Sequence, residues 1–150
     1  MEYDEIFERL GYCGIHCGKC FAFAKGPIKE YSSKLKESLG NFDIYAQRFS
    51  TILDESGFEN YLPFKNLLEY FSSENCRGCR IEGCKLFKDC KVRNCVIEKK
   101  VDFCFQCESF PCENTGFDEH LKNRWININK QMKEIGVGAY FEKIKDAPRY

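Results

Sequence analysis

A chain of 150 residues with 43% hydrophobic and 15% aromatic content has the length of one domain and enough apolar mass for one core, and no run approaches the ~18 apolar residues of a membrane helix. Its 23 basic and 23 acidic side chains cancel to a formal net charge of zero, which gives no reason to expect a general polyanion binder. The acidic opening Met1-Glu2-Tyr3-Asp4-Glu5 is unlike the basic, then apolar start of a secretory signal, so the expected compartment is the cytosol.

Residues 1–26 form a first segment in which a short acidic stretch leads into Cys13, Cys17 and Cys20. Residues 27–75 read as helical. Ile28, Tyr31, Leu35 and Leu39 recur at helical spacing up to Gly40, a residue suited to a helix end because it tolerates positive φ. Asn41 is a candidate cap for a second helix whose face carries Phe42, Tyr45, Phe49, Ile52 and Leu53. A third helix is expected to start near Asn60, to tolerate Pro63 in its first turn and to align Phe64, Leu67, Leu68 and Phe71.

Apolar periodicity fades over residues 76–112, where only a short helix after Asn94 is predicted. It returns over residues 113–150. Phe117, Leu121, Trp125, Ile128, Met132 and Ile135 fall on one side of a helix that ends at Gly136, with Thr115 as the expected cap and Asp118 at its third position. A last short helix would bury Tyr140, Phe141 and Ile144. Strand signals are poor throughout, so the expected fold is mainly α: one small helical domain with an irregular cysteine-rich metal-binding insert.

That insert holds Cys76, Cys79, Cys84, Cys90, Cys95, Cys104, Cys107 and Cys112, eight of the chain's 11 cysteines within 37 residues. In a reducing compartment such closely spaced cysteines more often ligate metal or do redox chemistry than form disulfides, and an odd count fits pairing poorly. The C-x-x-C pairs 76/79 and 104/107 wrap tight turns whose sulfurs face a common point, and Gly78 gives the first the backbone freedom it needs. Eight thiolates supply two tetrahedral zinc sites. The motive is stability: a stretch of this length lies below the ~40 residues at which a core alone suffices, and a structural zinc contributes roughly 10 to 16 kcal/mol of apparent folding free energy. Iron–sulfur clusters and free thiols are the competing readings of the same ligands.

Local charge is uneven. Residues 76–100 carry eight Lys or Arg (Arg77, Arg80, Lys85, Lys88, Lys91, Arg93, Lys99, Lys100) against Glu82, Asp89 and Glu98, a balance of +5; residues 101–120 carry five acids and no Lys or Arg, a balance of −5. A zinc held by four thiolates is a dianion, so cations among the ligands would offset it. A solvated basic face and a nucleic-acid patch are the other readings.

Cys13, Cys17 and Cys20 have the Cx3Cx2C spacing with which radical S-adenosylmethionine enzymes hold an iron–sulfur cluster. The likeness stops there: the chain is too short for a full barrel, and Lys19 stands where those enzymes usually carry an aromatic residue. The trio is read instead as a third zinc site, completed by His16 or a later cysteine, or as buried unligated thiols. His120 is expected to be solvated and Trp125 to be core. No nucleophile elbow, phosphate loop, dinucleotide fingerprint or H-E-x-x-H motif occurs, and no catalytic constellation is predicted.

The segments Tyr12-Cys13-Gly14-Ile15-His16-Cys17-Gly18-Lys19-Cys20, Cys76-x-Gly78-Cys79, Cys90-Lys91-Val92-Arg93-Asn94-Cys95 and Cys104-Phe105-Gln106-Cys107-Glu108-Ser109-Phe110-Pro111-Cys112 together resemble a prokaryotic cysteine-rich family, domain of unknown function family 3795. The resemblance is taken to extend over nearly the whole chain, including the helix around Trp125. Val92 departs from the isoleucine usual there, and His16 from an acid or aromatic residue; the ligand set is intact. The resemblance implies a small zinc-binding protein without an assigned activity. The functional expectation is a noncatalytic module with two zinc ions, a third being open, that docks a protein partner. The alternatives are an iron–sulfur or thiol-redox enzyme built on the trio and a zinc-stabilised nucleic-acid binder. No membrane association is expected; oligomeric state is left open.

Overall fold

The computed structural model describes residues 2–150. Among them the chain forms eight α-helices and no strand, with an isolated antiparallel bridge between Leu10 and His16. No helix among the described residues is long and apolar enough to cross a membrane. The chain divides into two compact units, one of Met1–Cys20 with Cys76–Tyr150 and one of Phe21–Asn75.

The Phe21–Asn75 unit holds α2 (Pro27–Leu39), α3 (Phe42–Ile52), a 3₁₀ turn (Ser56–Asn60) and α4 (Tyr61–Ser73). Pro27 starts α2 with its fixed φ, and Gly40 ends it at φ 49°, the two ends at which these residues are favoured. α2 packs on α4, and Lys29 Nζ donates to the Glu74 carbonyl at 2.7 Å. The three helices match the expected periodicity, yet the faces are less buried than the pattern implies. Ala46 and Leu68 are buried, whereas Tyr31, Leu35, Ile52, Leu53, Phe64 and Leu67 are exposed.

The other unit begins with α1 (Tyr3–Arg9), which the sequence reading passed over as an acidic stretch, and continues with a 3₁₀ turn at Cys17–Lys19. After residue 75 come α5 (Cys79–Glu82), α6 (Val92–Glu98), a 3₁₀ turn at Cys104–Gln106, α7 (Glu119–Ile135) and α8 (Val137–Ile144). Its main core joins Ile6, Leu10 and Ile15 to Phe103 and to Leu121, Ile128, Met132, Tyr140 and Phe141. The cap of α7 is Asp118, whose carboxylate accepts the Leu121 N–H at 2.9 Å. Thr115, the expected cap, is buried and accepts the Phe117 N–H instead, closing a turn ahead of the helix.

The cysteine-rich stretch does not stand apart as an irregular insert. It carries α5 and α6 and supplies Val92, Val96, Phe103 and Cys104 to the cores, the first two packing with Trp125. It therefore shares an interior with the N-terminal and C-terminal helices of its unit. Gly116 anchors this arrangement. The Lys91 N–H donates to the Thr115 carbonyl, and a Cβ on Gly116, at φ 72°, would lie 2.0 Å from the Asp89 carbonyl oxygen. Gly116→Ala is expected to cost on the order of 3 kcal/mol in urea unfolding, because clash and positive φ add. Gly138→Ala, in α8 with nothing within 4 Å of the added carbon, is expected to gain about 0.5 kcal/mol or more from helix propensity. Equal effects at the two positions would contradict this packing.

Candidate metal centre

All 11 cysteines are free thiols in one unit, because the 55 residues of Phe21–Asn75, which contain none, form the other. The trio and the later eight, far apart in sequence, are thus brought into one body.

Tight turns aim backbone N–H groups at the sulfurs. Cys76 accepts from Gly78 and Cys84 from Phe87, each at 3.4 Å. The backbone N–H groups of Ile15, of Val92 and Arg93, and of Ser109 act to lower the thiols of Cys13, Cys90 and Cys107 respectively. Two further influences cross between segments: the Cys79 backbone N–H acts to lower the Cys17 thiol, and that of Tyr12 acts to lower the Cys79 thiol. Donors so placed favour the thiolate, the form that binds a cation.

One group of sulfurs is Cys95 on α6, Cys104 and Cys107 around the 3₁₀ turn, and Cys112. These four line one cavity of about 20 Å³ together with Trp125, room for about one water-sized sphere. Gln106 fixes the turn by accepting the N–H groups of Asp102 and Phe103 at 2.7 and 2.9 Å. The Cys104 thiol is pushed up to about 12, by burial first and then by Cys112, Cys95 and Cys107, while Trp125 opposes the rise. The Trp125 indole N–H favours a charged Cys104 sulfur yet stands short of a full hydrogen bond, leaving Nε1 buried and unpartnered. At the more exposed Cys107, burial acts upward but is outweighed by Ser109 and the Lys99 ammonium, so this thiol is lowered.

Burial pushes the Cys79 thiol up to about 12, and Cys17, Cys84 and Cys90 add to the rise. Burial likewise raises Cys17, with Cys20 and Cys84 adding and the Cys79 N–H opposing. Burial raises the Cys13 thiol most, then Cys17, with smaller effects of Cys79 and Cys104. A Cβ on Gly11 would stand 3.3 Å from the Cys17 sulfur and 3.4 Å from that of Cys13, so glycine there makes room for both. Cys76 faces Glu82 and Lys85, and Cys20 accepts the Tyr150 hydroxyl at 3.8 Å.

Of the eight basic residues in 76–100, Arg80 and Arg93 turn inward and the other six are exposed. Arg80 lies 3.4 Å from the Phe7 ring, 4.2 Å from Tyr12 and 4.7 Å from Phe103, and donates to the carbonyls of Leu10 and Asp102. Arg93 donates to the Cys79 carbonyl at 3.2 Å. His16 is buried against Phe141 with Nδ1 unpartnered, and its pKa is pushed down to about 4 by burial and then by Lys19, Arg149 and Arg9. Cations so placed oppose a metal at this ring. His120 is exposed, and Trp125 is 1% exposed in the core.

As placed, no group of three or more His, Cys, Asp or Glu side chains among the described residues could hold a metal ion. The sulfurs of Cys95, Cys104, Cys107 and Cys112 line one cavity but are not closed to bonding distance around an ion. Burial and mutual repulsion keep such thiols neutral unless a cation offsets them. Sequence reasoning missed two supports. Arg80 follows the second cysteine of a C-x-x-C, and its position there was the signal. Asn129, fully buried, donates to the Cys13 and Trp125 carbonyls and accepts the Phe105 N–H; an amide four residues after Trp125, beside an apolar stripe, was a sign that something polar needed holding.

The profile of a family described as "Protein of unknown function (DUF3795)" matches residues 9–117. The match spans every cysteine and ends before α7, so it does not extend to the helix around Trp125 as the sequence resemblance had it. No curated protein and no solved structure matches the chain. With nearly three quarters of its length matched, the chain belongs to the DUF3795 family of proteins of unknown function.

Proposed function

We propose that the protein is a zinc-held scaffold, with two ions bound by cysteine thiolates, whose role is to keep a fixed surface for a protein partner. The observation that carries this reading is the convergence of Cys95, Cys104, Cys107 and Cys112 on one cavity of about 20 Å³ under Trp125. The donor set is all sulfur, which suits zinc, and four sulfurs around one ion leave no open coordination position for catalysis. The unpartnered Trp125 N–H and the Lys99 ammonium supply positive potential where the metal-bound sulfurs would concentrate negative charge.

Elemental analysis of the untagged, reduced protein is expected to give two zinc ions per chain and a colourless solution. Exchange for Co²⁺ is expected to give thiolate charge-transfer absorbance and to quench the single tryptophan, because Trp125 lines the cavity. Metal-free protein, or visible absorbance from iron on anaerobic purification, would sink the proposal.

A further inference from the structure

We propose that residues 147–150 form a strap over the His16–Cys20 turn, and that the lifting of this strap sets how fast the Cys20 thiol meets reagents in solution. The inference goes beyond the scaffold reading and does not depend on it.

α8 ends at Ile144, and the chain runs on to Tyr150 without regular structure. None of residues 145–150 is buried, so polar contacts, and not a core, hold this tail down. Four hydrogen bonds fasten it. Lys19 Nζ donates to the Ala147 carbonyl at 2.6 Å, and Arg124 of α7 donates to the Arg149 carbonyl at 2.8 Å. In the other direction the Arg149 guanidinium donates to the His16 carbonyl, and the Tyr150 hydroxyl donates to the Cys20 sulfur at 3.8 Å. Three of the four therefore engage the same short turn, from His16 to Cys20. The Arg149 guanidinium also lies 5.3 Å from the Tyr150 ring, which joins the two side chains that reach back.

This fastening is closed but light. Hydrogen bonds of this kind each contribute modestly, and they are set against the entropy of ordering the tail. Arg149 Nε is buried without a partner in the closed form, a further cost of closure. Cys20 is 8% exposed whereas Tyr150 is 69% exposed, so the tyrosine covers the thiol from outside and is free of the core. Opening is then a local event of low cost, one that uncovers Cys20 and leaves the packing around Trp125 in place.

Cys76 supplies the comparison. It is 9% exposed, as little as Cys20, but its sulfur accepts the Gly78 N–H, away from the tail.

The test follows each cysteine of the reduced protein by mass spectrometry during reaction with iodoacetamide, in which the sulfur displaces iodide and the thiol proton passes to solvent. Removing residues 147–150 is expected to speed alkylation of Cys20 about tenfold or more, and to change that of Cys76 by less than about twofold. Arg149→Gln, which breaks the bond to His16, is expected to act in the same direction and less strongly. Equal Cys20 rates in the intact and shortened chains overturn the strap. So does a shortened chain in which Cys20 and Cys76 speed up together, because the loss of the tail then loosens the whole unit. Should the shortened chain fail to fold, Arg149→Gln and Arg124→Gln decide in its place. Acceleration confined to Cys20 supports the strap; no acceleration, or an equal one at Cys76, overturns it.

Discussion

Withdrawing zinc from the reduced protein with a strong chelator is expected to abolish the cooperative melting of the unit formed by Met1–Cys20 and Cys76–Tyr150. The magnitudes decide this. A structural zinc contributes roughly 10 to 16 kcal/mol of apparent stability, whereas a whole domain is stable by only about 5 to 15 kcal/mol. Between residues 76 and 112 the helices are 4, 7 and 3 residues long, too short to persist unaided. Without a cation, burial and neighbouring sulfur raise the thiols of Cys79 and Cys104 to about 12, so these groups are neutral near pH 7. The Phe21–Asn75 unit contains no cysteine and serves as an internal comparison. Circular dichroism is expected to keep part of its helical signal while the near-ultraviolet signature of Trp125 disappears. A chelated, metal-free protein that melts at the original temperature, with Trp125 still ordered, would refute the zinc scaffold.

The second large effect is expected at Trp125. Its side chain is 1% exposed, meets Phe110 edge-on with ring centres 5.0 Å apart and Phe117 at 6.2 Å, and packs on Val92, Val96 and Cys104. Trp125→Ala is expected to lower stability by about 3 to 5 kcal/mol, the usual cost of emptying a buried aromatic site. Because the same ring walls the cavity of Cys95, Cys104, Cys107 and Cys112, the variant is also expected to release one of its two zinc ions at lower chelator concentration. Trp125→Phe keeps most of the volume and removes the indole N–H. It is expected to lose less stability while still weakening that centre. Urea unfolding followed by circular dichroism, with zinc release measured in parallel, separates the two contributions. A loss below about 1 kcal/mol for the alanine variant would mean that the ring is not the core element described here.

The sequence by itself determined the helical class and most of the long helices. Periodic apolar residues located α2, α3, α4, α7 and α8, and the glycines after α2 and α7 marked their ends, because a 3.6-residue repeat and a positive-φ terminus are local properties of the chain. It missed α1, where three acidic residues share seven positions with Tyr3, Ile6 and Phe7 and only Ile6 is buried. It misplaced the cap of α7, since Thr115 and Asp118 offer the same side-chain chemistry three residues apart. The cysteine types, the motifs and the family were legible, for ligand chemistry is written in residue identity.

Tertiary structure alone decided which sulfurs share a cavity. The return of the chain after residues 21–75 and the seat of Gly116 against Asp89 set Cys104 beside Trp125, in one cavity with Cys95, Cys107 and Cys112. Spacing along a chain cannot encode such meetings, because they depend on where distant segments pack. The same packing turned an expected irregular insert into part of a shared interior, since Phe103, Val92 and Val96 find their apolar partners on helices far away in sequence.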